Sequence, residues 1–452
     1  MMSTTTVPKK SHVSLIVVTS LMLFSMFFGA GNLIFPPQLG VDAGTNFWPA
    51  IIGFLGAGVL LPVLGIIAIA LSGDSVRDLA SRAGRVFGLI FPILAYLSIG
   101  AFYALPRTGA VSFEMAVTPL TGWDSMLASG IFNFIFFGVA LALSWNPNTI
   151  SSTLGKYLTP VLVVLLALLI ILALVNFDYA AGAPNEVYTD APMAAGLIEG
   201  YLTMDAIAAL AFGIVVISAL RYNGVGEGKP LATAAIIAGL GAGVLLGAIY
   251  VGLGLIGQVI PDGGSYDNGA LILSSAANIT MGTPGQIIFA AIVVLACLTT
   301  AVGLITATSE FFHELLPGIS YKTWAVIFAF ASFAMATAGL DTVLSIAAPV
   351  IGFIYPPAIA LIFIALIEPI FGRGRFRWTY LLGVWVAVIW SALTSFGVTA
   401  LVDWAPLQDA GLGWVLPTVV AVVIGLVIDL ATRRGQPTPQ PAEEQPRVLS
   451  ES

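Results

Sequence analysis

Leu23-Phe24-Ser25-Met26-Phe27-Phe28-Gly29-Ala30-Gly31-Asn32-Leu33-Ile34-Phe35-Pro36-Pro37 is an apolar run interrupted at its centre by two glycines and an asparagine. Gly disfavours a helix interior by about 1 kcal/mol. A second run, Gly196-Leu197-Ile198-Glu199-Gly200-Tyr201-Leu202-Thr203-Met204-Asp205-Ala206, carries a carboxylate near the middle of the apolar segment 192–219. Unwinding at either place would free backbone N–H and C=O groups at membrane depth, where they are tolerated only if they line a cavity or bind something. Close helix packing at small residues is the other reading of the glycines. A carboxylate inside a membrane segment is costly and marks function by default. Asp205 either contacts an ion or substrate or caps the second half of a broken helix; Glu199 falls nearer the outer vestibule.

The rest of the chain supports the membrane setting. Of 452 residues, 58% are apolar and only 9% charged, whereas soluble domains carry about 25% charged residues. Too few charges remain to cover a water-facing surface, and disorder needs the opposite balance. One cysteine, Cys297, and two histidines, His12 and His313, exclude an intramolecular disulfide and an ordinary His/Cys zinc site. A spanning helix needs about 20 apolar residues. Twelve candidate spans follow, at 13–37, 46–71, 87–113, 126–145, 154–176, 192–219, 231–258, 284–308, 323–339, 342–368, 379–401 and 411–430. The fold class expected is an all-α membrane protein with twelve transmembrane helices; a β-barrel would need short strands of alternating polarity.

Twelve spans put both termini and every even-to-odd loop on one side. That side would hold 15 of the 16 Lys+Arg residues, Lys156 among them at the mouth of span 5, and leave only Arg107 in the outer half of span 3. The positive-inside rule makes it the cytoplasm. Lys9 and Lys10 before an apolar run also fit a signal peptide, but no clean cleavage site follows. The residues from Arg433 to Ser452, rich in Pro, Gln and Glu, read as a disordered cytoplasmic tail. No charge block suggests nucleic acid, and no obligate protein partner is evident.

Spans 1 and 6 stand five apart. Interrupted segments at matching positions in two halves point to a transporter's central site, where half-helix N-termini meet anionic groups and exposed carbonyls hold a cation. The expected organisation is a cytoplasmic N-terminus at 1–12, inverted repeats at 13–176 and 192–368, two added spans at 379–430 and a tail at 431–452. Span 8 contains Ala296-Cys297-Leu298-Thr299-Thr300-Ala301. Paired threonines in an apolar helix either bond back to their own carbonyls or supply hard oxygens to a small cation such as Na⁺.

Phe27 to Pro37 resembles the signature of the bacterial branched-chain amino acid:cation symporters, the system II carriers. So do Pro106-Arg107-Thr108 with Glu114, and Gly200-Tyr201 with Thr203-Met204-Asp205-Ala206. The likeness runs from span 1 to about span 12. It implies a multi-pass protein of the bacterial cell membrane that takes up L-leucine, L-isoleucine and L-valine, usually with Na⁺ as coupling ion and no resident cofactor. It also implies the LeuT-type fold, a 5+5 inverted repeat with broken helices 1 and 6.

By that resemblance Gly29, Ala30, Gly31 and Asn32 form the span 1 break, and the N–H groups of Ala30 and Gly31 meet the substrate carboxylate. The carbonyls of Ser25, Phe28 and Ala296 and the hydroxyls of Thr299 and Thr300 fall where the fold binds a structural Na⁺. A second Na⁺ site in some members uses an Asn of span 1, a Thr of span 6 and an Asn of span 7. Asn32 and Thr203 match the first two, but Leu231 to Gln258 contains no Asn, so one coupled Na⁺ is expected. Phe102, Tyr103, Tyr201, Leu202 and Met204 are the candidate apolar walls, with ordinary helix packing as the alternative. Arg107 is expected at the outer mouth, near Glu114. A proton-coupled permease of the same fold would place the proton on Asp205 or Glu199. A channel fits the paired breaks less well, and no constellation for an intramembrane enzyme is present.

Overall fold

The computed structural model describes residues 12–432 except 74, 179, 267, 373, 375, 409 and 410. Nearly all of the N-terminal segment and the tail from 433, with Lys9, Lys10, Arg373, Arg375, Arg433, Arg434 and Arg447, therefore lies outside the described residues. The described part is helical. The first apolar run is two helices, α1 His12–Phe27 and α2 Ala30–Ala43. Then follow α3 Phe47–Leu55 and α4 Leu61–Ser72, joined by a π-turn over Gly56–Leu60. Next come α5 Arg85–Leu97, α6 Ala104–Ser112, α7 Met126–Leu143 and α8 Thr159–Asn176. The second interrupted segment is α9 Pro192–Leu202 and α10 Asp205–Tyr222. The remainder is α11 Lys229–Val259, α12 Gly269–Met281, α13 Thr283–Leu315, α14 Tyr321–Thr337, α15 Leu340–Phe371, α16 Trp378–Ser395 and α17 Val415–Thr432.

Among the described residues ten helical runs are long and apolar enough to cross a membrane. That is two fewer than the twelve expected. Ala30–Ser72 forms one continuous run, and α14 has only 17 residues. The helix α12 lies where no span was expected, because Ser274, Ser275 and Asn278 break its apolar run.

Outward faces are apolar. On α8, Val161, Val164, Leu168, Ile171 and Val175 are all exposed, at the three- and four-residue spacing that aligns side chains along one helix face. Such a stripe faces lipid at no cost and water at a large one.

Inside, glycines set the helix spacing. A Cβ at Gly196 of α9 would fall 1.9 Å from the Ala50 carbonyl oxygen of α3, and one at Gly53 1.9 Å from that of Met193. Nothing flexible is there to yield. Gly196→Val is therefore expected to destabilise by at least the roughly 1–3 kcal/mol of an overpacked core. Thermal unfolding in detergent should show a midpoint several degrees lower. Gly56→Ala, which meets nothing within 4 Å, should unfold like the wild type, and equal midpoints for all three proteins would refute the spacing argument.

Candidate functional site

The breaks lie opposite each other. At the first, Gly29 is extended (φ −116°, ψ −158°), and its N–H donates to Asn32 Oδ1 at 3.4 Å. Any residue could adopt that backbone; the glycine is needed because a Cβ there would sit 2.9 Å from Thr300 Oγ1 of α13. At the second, Met204 is left-handed (φ 66°). The Thr203 hydroxyl donates to the Gly200 carbonyl at 2.9 Å, and α10 starts at Asp205. A carboxylate in the first turn lies at the positive end of the helix dipole.

Asp205 is 5% exposed and joins the two breaks. Its Oδ2 accepts from Asn32 Nδ2 at 2.7 Å and from the Tyr250 hydroxyl at 3.2 Å. Asn32 Nδ2 also donates to the Tyr250 hydroxyl. Tyr250, on α11, was not foreseen. A tyrosine in an apolar helix carries no sequence signal of such a contact.

A cavity opens at this junction. Its walls include Gly29, Ala30, Asn32, Thr203, Met204 and Asp205 from the half-helices, Tyr103 and Arg107 from span 3, and Thr300 from α13. Arg107 Nη1 donates to the Tyr103 hydroxyl at 2.6 Å, and its guanidinium lies 4.6 Å from the centre of that ring. A Cβ on Gly31 would be 3.2 Å from Arg107 Nη2. Arg107 therefore faces the central cavity and not the outer mouth. The reason is the length of its segment, an apolar run of 37 residues from Arg85 to Thr121, which carries position 107 deep. The free volume is about 40 Å³, room for a few water molecules at about 10–15 Å³ each.

Three expected wall residues lie elsewhere. Phe102 is 48% exposed and Leu202 is 47% exposed. A π-turn over Ser98–Phe102 precedes Tyr103, and neighbouring residues on a helix point about 100° apart, so Tyr103 faces in while Phe102 faces out. Leu202 ends α9 on the outward face. Tyr201 packs its ring 3.9 Å from the ring of Tyr355 and lines a different, apolar space. Glu199 accepts from the Tyr188 hydroxyl in the short helix Glu186–Asp190, and Lys156 is exposed.

The span 8 oxygens meet α1. Thr299 Oγ1 donates to the carbonyls of Ser25 and Ala296, both at 3.0 Å, and Thr300 Oγ1 to the Ser25 carbonyl at 3.2 Å. Phe28 is buried beside them in sequence, its N–H bonded to the Phe24 carbonyl at 2.8 Å and its ring stacked on that of Phe24. Two carbonyls and two hydroxyls are thus within bonding reach of one another across α1 and α13. Such hard neutral oxygens suit an alkali cation and not a transition metal. No group of three or more His, Cys, Asp or Glu side chains that could hold a metal occurs among the described residues.

Apolar outward faces, two helices interrupted opposite each other, and a cavity between them that carries Asp205 and Arg107 on mostly apolar walls are the build of a membrane transporter. The chain belongs to the branched-chain amino acid transport protein family, whose model it matches over residues 12–432. It is 59% identical over 415 residues to the branched-chain amino acid permease BrnQ of Corynebacterium glutamicum, covering 92% of this chain and 95% of that protein. It is 41% identical over 423 residues to the permease BraB of Bacillus subtilis, with 92% and 95% covered. Its fold is similar to that of Mhp1, a nucleobase-cation-symport-1 family transporter, in a closed conformation with bromovinylhydantoin bound. There the TM-score is 0.59 and the identity 16%, over 92% of this chain and 93% of that one. Against the inward-facing conformation of Mhp1 the TM-score is 0.52, at 15% identity over 91% and 90%.

Proposed function

We propose that this chain is a Na⁺-coupled symporter that takes up leucine, isoleucine and valine by alternating access, with twelve spans in a LeuT-type 5+5 repeat and both termini cytoplasmic. The half-helix pairs α1/α2 and α9/α10 are the broken helices 1 and 6 of that repeat. The observation that carries the reading is the cavity at both breaks, with the Asp205 carboxylate and the Arg107 guanidinium on its walls. An amino acid is a zwitterion, and this site offers one charge of each sign. The carboxylate goes to Arg107 and to the first N–H groups of α2, which no helical carbonyl can satisfy. The ammonium goes to Asp205, whose Oδ2 also accepts from Asn32 and Tyr250. Met26, Phe27, Ile99 and Phe212, also on the walls, suit an aliphatic side chain. One methylene is worth only about 1–3 kcal/mol in such a pocket, so the three substrates compete.

The cavity is too small to admit them in the conformation described. It corresponds to a nearly closed stage of the cycle. Na⁺ at Ser25, Phe28, Ala296, Thr299 and Thr300 would tie α1 to α13 and favour the outward-open state, provided it binds the two states unequally. Substrate then fills the breaks, the bundle rocks, and both leave inward.

Thr300→Ala removes one proposed cation ligand. Hydrogen bonds and contacts to charged groups are worth about 1.5–3 kcal/mol, so the Na⁺ concentration for half-maximal isoleucine uptake should rise about tenfold or more. An unchanged Na⁺ dependence would remove this site from the mechanism. A proton-coupled permease remains the second reading, because Asp205 is a buried carboxylate that a proton would neutralise.

A further inference from the structure

Glu310 lies inside the apolar helix α13 and takes no part in the central site. An ionisable side chain within a membrane helix marks function by default. Its Oε2 is buried and has no hydrogen-bond partner among the described residues. No Lys or Arg pairs with it among those residues. The polar group beside it is the Ser218 hydroxyl of α10. A carboxyl group so placed is either neutralised by a proton or held against a cation.

Its place on the helix favours the cation. Thr300, Gly303, Ala307, Glu310 and Glu314 follow one another at three- and four-residue steps, so they share one face of α13. Glu310 is ten residues from Thr300, about 15 Å at roughly 1.5 Å each. Gly303 and Ala307 between them are small, and Met26 of α1 lies over the first: a Cβ at Gly303 would be 2.7 Å from Met26 Cγ. Met26 also walls the central cavity, and its unbranched thioether chain adapts to what passes. Past Glu310, Ser218 and Glu314 both line a second polar cavity, between α10, α13 and the segment 75–81. Arg77 and Arg221 on its walls are balanced by Asp78 and Glu314, so a cation crosses it without net repulsion. The proposed topology makes this end cytoplasmic.

We propose that Glu310 and Ser218 form an inner cation site, which holds Na⁺ after it leaves Ser25, Thr299 and Thr300 and before it enters the cytoplasm. The site rests on the Na⁺-coupled reading. A carboxylate and a hydroxyl are hard oxygens of the kind an alkali cation takes. A charge part-way along the exit offsets the cost of carrying an ion through an apolar interior. The same ion occupies the two sites in turn, so one Na⁺ per substrate is kept.

The test is isoleucine transport into right-side-out and inside-out membrane vesicles holding the full-length protein, with Na⁺ varied on the outer or the cytoplasmic face. In Glu310→Gln the half-saturating Na⁺ on the cytoplasmic face should rise about tenfold or more, while that on the outer face stays as in wild type. Glu310→Asp, which keeps the charge, should shift it less, and Ser218→Ala should shift it a few-fold. Thr300→Ala should raise the values on both faces. The inner site is overturned if Glu310→Gln changes neither value or changes both alike. It is also overturned if Glu310→Gln abolishes a response to cytoplasmic pH yet leaves the cytoplasmic Na⁺ dependence intact, which would make Glu310 a proton site. Should Glu310→Gln fail to reach the membrane, Ser218→Ala decides by the same comparison, and an unchanged cytoplasmic value overturns the site. Wild-type transport indifferent to Na⁺ on either face would overturn the coupling ion itself, and this site with it.

Discussion

Asp205→Asn is expected to weaken isoleucine binding about 30-fold to several thousand-fold. The carboxylate lines the cavity between the two breaks and is almost fully buried. Removing one partner of a buried charge pair costs about 2–5 kcal/mol, and each 1.4 kcal/mol is tenfold in affinity. Asparagine keeps the size and can still accept from Asn32 and Tyr250, so what is lost is the charge. The measurement is the isoleucine concentration dependence of uptake, alongside stabilisation of the purified protein by isoleucine. Tyr250→Phe removes one donor to Oδ2 and leaves the charge. Its effect should be only a few-fold, from the roughly 0.5–1.5 kcal/mol of a single hydrogen bond. If Asp205→Asn melts early yet binds isoleucine as wild type does, the residue is a helix cap and the ammonium lies elsewhere.

Arg107→Gln should have an effect of similar size, on the opposite end of the substrate. Arg107 lies against Gly31 and holds the Tyr103 hydroxyl, so its guanidinium sits beside the N-terminus of α2. A carboxylate accepted there would have the planar, two-donor partner it favours. Gln offers neither the charge nor the fork, and Lys offers only the charge. The apparent KM for isoleucine should therefore rise most in Arg107→Gln and less in Arg107→Lys. An amine analogue of isoleucine without its carboxylate should compete equally weakly with all three proteins. Should the analogue discriminate among them as isoleucine does, Arg107 acts through the fold and not on the carboxylate.

The two breaks were legible because glycine, asparagine and aspartate stand out inside apolar runs. Gly29, Asn32, Thr203 and Asp205 do converge on one cavity, and Thr299 and Thr300 do reach Ser25. What could not be read was the facing of side chains. Phe102 and Tyr103 are equivalent in composition, and only the π-turn before Tyr103 decides which looks inward. Arg107 was placed at the mouth because span 3 was bounded by hydropathy at 113, while the helical run continues to Thr121. Tyr250 was invisible because an aromatic on an apolar helix is ordinarily packing. Its hydroxyl acquires meaning only when α11 lies against α2 and α10.

The most direct test of Na⁺-driven alternating access is uptake of labelled isoleucine into liposomes holding the purified protein. One set receives a Na⁺ gradient and the other a proton gradient at matched membrane potential. Accumulation driven by the Na⁺ gradient alone, and lost or shifted to higher Na⁺ in Thr300→Ala, is the predicted result. Accumulation driven by the proton gradient alone would contradict it, moving the coupling to Asp205 or Glu199 and leaving Thr299 and Thr300 as packing between α1 and α13.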